Sequence, residues 1–139
     1  VELRYGVIFD IAQKIFNSAP VDLAMGNANV IWQADANAMS LRAFEQASSP
    51  PFIVNVTGPE ILSVRRVALE LGRMLDRQVS FTGTEASSAL LNNGQLGQRL
   101  YGYPRVPVQQ VLRWTAEWVK AGGASLGKPT HFETRDGKY

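Results

Sequence analysis

The stretch from Asn55 to Phe81 most constrains what this chain can fold into. Phe52-Ile53-Val54-Asn55-Val56 is a short β-branched and aromatic run, ended by Thr57-Gly58-Pro59. That pattern predicts a strand closed by a turn. Ser63 is placed to cap the helix that follows. Val64, Val67, Ala68, Leu71 and Leu75 then recur at helical spacing and form one apolar face. Arg65, Arg66, Glu70, Arg73 and Asp76 fall mostly on the other face. Gln78-Val79-Ser80-Phe81 returns to an extended pattern. The unit reads strand, turn, helix, strand: a structural spine with no chemistry visible in it.

The rest of the chain must supply partners for that spine. With 139 residues and 45% hydrophobic content, it supports one core and is short for two domains. The net charge of +2 is small and the basic residues are scattered, so no nucleic-acid stripe is evident. The absence of cysteine removes disulfides, thiolate catalysis and thiolate metal sites together. A single histidine, His131, argues against an all-protein zinc site. No apolar run approaches the roughly 18 residues of a membrane span, and no signal-peptide pattern opens the chain. The expectation is a soluble, cytoplasmic protein that binds neither nucleic acid, nor membrane, nor metal.

Taken in order, Ile8, Ile11, Ala12, Ile15 and Phe16 predict a first helix, stopped by Asn17-Ser-Ala-Pro20. Val21–Ala24 reads as a short strand and Ala28–Gln33 as an extended run. Asp35 is expected to cap a second helix, with Leu41 and Phe44 as its core contacts and Ser48–Pro51 as its end. After the spine, Thr82–Ser88 is a polar loop and Ala89–Leu91 a short apolar piece. Asn93 is expected to cap a short helix through Leu100, and Tyr101–Pro104 to turn. Pro107 suits the first position of a last helix. Val108, Val111, Leu112, Thr115, Trp118 and Val119 mark its buried face, and Gly122-Gly123 ends it.

Four blocks, in order and spacing, carry a resemblance over roughly residues 5 to 122. They are Asp10-Ile-Ala-Gln-Lys-Ile15 with Pro20-Val-Asp-Leu23, Val30-Ile-Trp-Gln-Ala-Asp-Ala36, the spine itself, and Asn93 through Tyr101-Gly-Tyr-Pro104 to the last helix. Together they resemble the C-terminal half of extended short-chain dehydrogenases/reductases, the NAD-dependent epimerase/dehydratase family. The resemblance implies an α/β (α+β) fold class: a helix-rich substrate-binding lobe with a few short strands, lacking the N-terminal Rossmann half. It divides the chain into a substrate-binding domain, 1–123, and an irregular polar tail, 124–139. It implies a parent enzyme that binds NAD or NADP, acts on a sugar or sugar-like substrate, and is a homodimer.

The family's catalytic motifs are absent. There is no Gly-x-x-Gly-x-x-Gly loop to bring backbone against a pyrophosphate at a helix N-terminus. Tyr5, Tyr101, Tyr103 and Tyr139 have no lysine four residues on, so the Tyr-x-x-x-Lys base is missing. Val1 also opens mid-pattern. We therefore expect a fragment without catalytic, cofactor-binding or metal-binding residues of its own. Its partners would be a small-molecule substrate and the missing Rossmann half. The alternative is a stand-alone small-molecule-binding or protein-interaction domain with no redox role.

Candidate ligand contacts divide by their warrant. Trp32 follows a polar loop, and an indole can stack on a ring and donate one hydrogen bond; a core aromatic at a strand end explains it as well. Asn27 and Asn29 can each donate and accept, which suits hydroxyl-rich ligands, and equally suits turns with positive φ. The resemblance adds Tyr5, Leu90, Leu91 and Asn92 as substrate contacts. It also implies two diphosphate-clamping arginines, yet Gly26–Asn29 and Gly83–Ser88 contain none. That departure predicts a smaller or less charged substrate. Gly122-Gly-Ala-Ser-Leu-Gly-Lys128 matches most of a phosphate-binding P-loop, but Pro129 stands where a magnesium-binding hydroxyl belongs. A Gly-rich tail is the simpler reading.

Overall fold

Three apolar helix faces that have to be buried against one another set the architecture. The computed structural model describes residues 1–135, so the last four residues of the expected tail, with Tyr139, lie outside the described residues. The elements are α1 (Val7–Phe16), β1 (Val21–Asp22), β2 (Asn27–Ala28), α2 (Gln33–Arg42) with a 3₁₀ turn (Ala43–Gln46), and β3 (Leu62–Ser63). They continue with α3 (Val64–Leu75), β4 (Phe81–Thr82), α4 (Gln95–Tyr101) and α5 (Val108–Lys120). Ile8, Ile11, Ala12 and Ile15 of α1, Val64, Val67, Ala68, Leu71 and Leu75 of α3, and Val111, Leu112, Ala116 and Val119 of α5 close into one core. Val21, Leu23 and Val30 seal it from the strand side. Each of the Val, Leu and Ile side chains contributes about 1.5–3 kcal/mol when fully buried.

The strands are short and paired across the spine. β1 pairs in parallel with β4, Val21 opposite Phe81. β2 pairs antiparallel with β3, Asn27 opposite Ser63. These two ladders fix both ends of α3. Ser63 caps that helix as expected, its hydroxyl accepting from the Arg66 N–H at 3.3 Å. Asp76 ends it in the left-handed region at φ 55°, and the Arg77 N–H reaches back to the Gly72 carbonyl at 2.9 Å.

Several expectations need correction. Leu41 and Phe44 are not core contacts: they are 68% and 74% exposed, and Met39, at 2%, takes the inward place. Leu41 follows Met39 by two residues, about 200° around a helix at 3.6 residues per turn, so both cannot face in. Asp35 is not the cap of α2. Trp32 holds that position; Asp35 lies within the first turn, buried, and its Oδ2 accepts from the Val106 N–H at 3.0 Å. Phe52–Val56 is in no sheet, and Ile53 is 85% exposed. That run lies instead along α4, where a Cβ on Gly97 would sit 2.5 Å from the Asn55 carbonyl oxygen.

Smaller shifts follow the same logic. Only Asn27–Ala28 of the run before Trp32 is paired, because Gln33 already opens α2. β1 is confined to Val21–Asp22 and β4 begins only at Phe81. Gly94 is the residue before α4, with Asn93 Oδ1 accepting from the Gln95 N–H at 3.0 Å from one position further back. Pro107 precedes α5 instead of opening it. Residues 124–135 form no helix or strand. They are tied down nevertheless: Thr130 to Asp10, Glu133 to Lys14 at 3.1 Å, and Phe132 against the core.

Candidate functional site

Gly58 determines where a site can form. A Cβ there would lie 2.0 Å from the Val30 carbonyl oxygen, so only glycine lets residues 58–63 approach the Val30–Ile31 backbone this closely. Three adjoining hollows surround that segment. The first, about 480 Å³, is lined by Asn27, Glu60, Ser63, Arg66 and Gln109 among others. The second, about 310 Å³, lies between Asn29, Pro59, Leu91, Asn92 and Gln98. The third, about 300 Å³, lies between Trp32, Pro59, Glu60, Arg105 and Val106. Five of the seven candidate contacts thus line hollows around one segment; Tyr5 and Leu90 line none of the three.

The asparagines are joined to each other. Asn29 Nδ2 donates to the Asn92 carbonyl at 2.7 Å, and the Asn92 N–H donates to Asn29 Oδ1 at 3.3 Å. This reciprocal pair latches the end of the loop after β4 to the run after β2. Neither Asn27 nor Asn29 has positive φ, so the turn explanation for them is set aside: Asn27 sits in a strand and Asn29 is a latch. Asn29 retains one amide hydrogen and one Oδ1 lone pair beyond the latch. Trp32 is half-buried, its ring 5.4 Å from that of Trp114 and tilted 54°. One indole edge packs while its hollow remains lined by prolines and Arg105.

The loop after β4 is held by arginines from outside it. Arg65, from α3, donates to Glu85 through two nitrogens at 2.6 and 3.1 Å and stacks 4.7 Å above Phe81. The Arg65 hydrogen bond holds the Glu85 carboxyl below its ordinary value and raises that of Arg65. Glu85 also lies against Gly26, where a Cβ would meet its Cγ at 2.9 Å. Arg135 reaches the same loop from the tail, donating to the Ser88 carbonyl and hydroxyl, each at 2.7 Å. Two arginines therefore stand at a loop that has none of its own. They are 20 and 47 residues away in sequence, and no local motif could have marked them. Gln98, buried with its Nε2 toward the Thr57 carbonyl at 3.4 Å, was also invisible to motif reasoning.

The P-loop-like stretch is not a phosphate cradle. Gly122 and Gly127 have positive φ, but the segment trails the C-terminus of α5 and opens no helix. Backbone N–H groups are consequently not gathered at a helix N-terminus behind it. Among the described residues no group of three or more acidic or histidine side chains is placed to hold a metal ion, and no helix is long and apolar enough to cross a membrane.

No protein-family model matches the chain, and no curated protein matches it. Solved structures do. UDP-glucuronic acid 4-epimerase from Bacillus cereus, solved with NAD, superposes with a TM-score of 0.65 at 12% identity over 84% of this chain. A UDP-galactose 4-epimerase superposes at 0.64 and 20% identity over 86%. The enzyme WbmF from Bordetella bronchiseptica, solved with NADH, superposes at 0.63 and 18% identity over 84%. The chain spans 39%, 41% and 37% of these three chains respectively, in their C-terminal part. At such identities the likeness is one of fold. The helix-rich lobe with short strands that the sequence implied is the fold of the C-terminal portion of sugar epimerases.

Proposed function

We propose that this chain is the substrate-holding lobe of an NAD(P)-dependent epimerase, dehydratase or reductase acting on a sugar-like molecule. The observation that carries the reading is the likeness, over more than four-fifths of the chain, to the C-terminal part of enzymes whose structures hold NAD or NADH. The hollows around residues 58–63 supply what a lobe of this kind requires. An indole face at Trp32 suits the apolar side of a pyranose ring. The amides of Asn27, Asn29 and Gln98, and the Asn92 backbone, suit its hydroxyls.

The dinucleotide would be held elsewhere. Its pyrophosphate requires free backbone N–H groups at a helix N-terminus. At α3 two of these donors are already engaged: Ser63 accepts from Arg66, and the Gly26 carbonyl accepts from Val64 at 3.0 Å. The reading therefore assigns NAD or NADP, and the catalytic tyrosine and lysine, to an accompanying Rossmann half. Leu41, Phe44 and Ile53 are large apolar residues left exposed between positions 41 and 53; that half would cover them.

A nucleotide-diphosphate substrate fits poorly. Arg65 is paired with Glu85 and Arg135 with Ser88, and the two arginines at the hollows themselves, Arg66 and Arg105, line different ones, so no two of them are gathered on one diphosphate. The ligand is a less charged sugar. The test is ¹H–¹⁵N NMR of the chain titrated in parallel with a neutral hexose and with UDP-galactose. Perturbation of the Trp32 indole and the Asn29 and Asn92 amides by the hexose supports the reading. Tighter binding of UDP-galactose at those signals overturns the substrate choice, and silence from both ligands overturns the site.

A further inference from the structure

The loop from Gly83 to Asn92 carries three of the candidate contacts, yet it has no helix or strand to hold its shape. It leaves β4 at Gly83, which has φ 68°. Its attachments come at intervals of three or four residues. Glu85 is fixed to Arg65, Ser88 to Arg135, and Asn92 to Asn29. The first and third anchors belong to the body of the lobe. The middle one belongs to the tail.

Arg135 is not a simple surface contact. Its Nη1 donates to the Ser88 carbonyl at 2.7 Å and to the Ala24 carbonyl at 3.4 Å, while Nη2 donates to Ser88 Oγ at 2.7 Å. Met25 Sδ lies 3.7 Å from Nη1. Ala24 and Met25 form the turn between β1 and β2, just before Asn27. One guanidinium thus spans two segments that meet at the candidate site, and only a planar fork of donors can reach both at once. The arginine is itself carried on a strap fastened to α1 through Thr130–Asp10 and Glu133–Lys14. A further tie joins the Leu126 N–H to the Arg4 carbonyl at 3.2 Å.

We propose that Arg135 is a positioning residue: the C-terminal strap staples the Gly83–Asn92 loop to the β1–β2 turn and thereby fixes Leu90, Leu91 and Asn92. The consequence for a ligand rests on the reading given above; the staple itself does not. The tail on this account is a working part of the lobe, and its order is coupled to that of a loop on a different element.

Backbone ¹⁵N relaxation on the chain tests this, comparing wild type with Arg135→Met, Arg135→Lys and Thr130→Val. Arg135→Met is expected to lower the order parameters of Gly83–Asn92 from the rigid range, about 0.85, toward the flexible range below about 0.6, while α1, α3 and α5 keep theirs. Arg135→Lys, with one ammonium in place of a fork, is expected to recover only part of the loss. Thr130→Val removes the hydroxyl bond to Asp10, keeps the backbone N–H bond there and leaves the staple untouched; it is expected to leave the loop less perturbed than Arg135→Met does. Unchanged loop order parameters in Arg135→Met overturn the proposal. So does an equal fall across α1, which would make Arg135 a general stability residue. Sugar binding is not the readout, so failure of the substrate reading leaves this result standing.

Discussion

Asp35 looked like a helix cap and is instead a cross-link. Its carboxylate, 8% exposed, accepts the Val106 N–H and so fixes the loop that forms one wall of the Trp32 hollow. Asp35→Ala leaves that N–H without its acceptor, at a cost of about 1–3 kcal/mol. Urea denaturation is expected to show the loss, with Asp35→Asn, which keeps an acceptor oxygen, losing less. Glu85 gives a pH signature. Its folded pKa is lowered by Arg65, so the pair's contribution is fully present above the ordinary carboxylate value. It is lost as pH falls through the lowered folded value. A carboxyl NMR titration is expected to find Glu85 below its ordinary carboxylate value, and Arg65→Met to move it back toward that value. The pair is exposed, so salt is expected to weaken it.

At the scale of elements, helices whose single apolar face meets the core were legible. Val64, Val67, Ala68, Leu71 and Leu75 were read from spacing alone, and all five are buried. The same holds for Ile8, Ile11, Ala12 and Ile15. α2 was misread because it lies outside the three-helix core and carries apolar residues on two faces. Periodicity cannot say which face meets the protein when both Met39 and Leu41 are apolar. The strand expected at Phe52–Val56 failed for a related reason: β propensity describes a residue's fit to a sheet, and no neighbouring strand stands beside this run. The site was legible as a set of residues and not as an arrangement. Asn29 and Asn92 were both singled out, but their mutual latch spans 63 residues. Arg135 carried no local signal at all. The two helix readings separate by mutation. Leu71→Ala is expected to cost about 2–5 kcal/mol, and Leu41→Ser less than about 0.5 kcal/mol in this chain. Equal losses would mean that α2 is packed in solution as the sequence first implied.

For the whole molecule, the chain has a closed core and large apolar side chains left outside it. α1, α3 and α5 satisfy one another, while Leu41, Phe44 and Ile53 face outward. The fold matches only the C-terminal part of sugar epimerases, about two-fifths of their length. The proposal joins these facts: a lobe that shapes a sugar pocket beside a dinucleotide-binding half whose surface covers those side chains. The most direct test is to sequence the coding region immediately upstream of Val1. The account predicts about 150–200 further residues, roughly one domain, with Gly-x-x-Gly-x-x-Gly near the start and Tyr-x-x-x-Lys in the middle. A start codon within a few residues of Val1 would contradict it and leave a stand-alone binding module in its place.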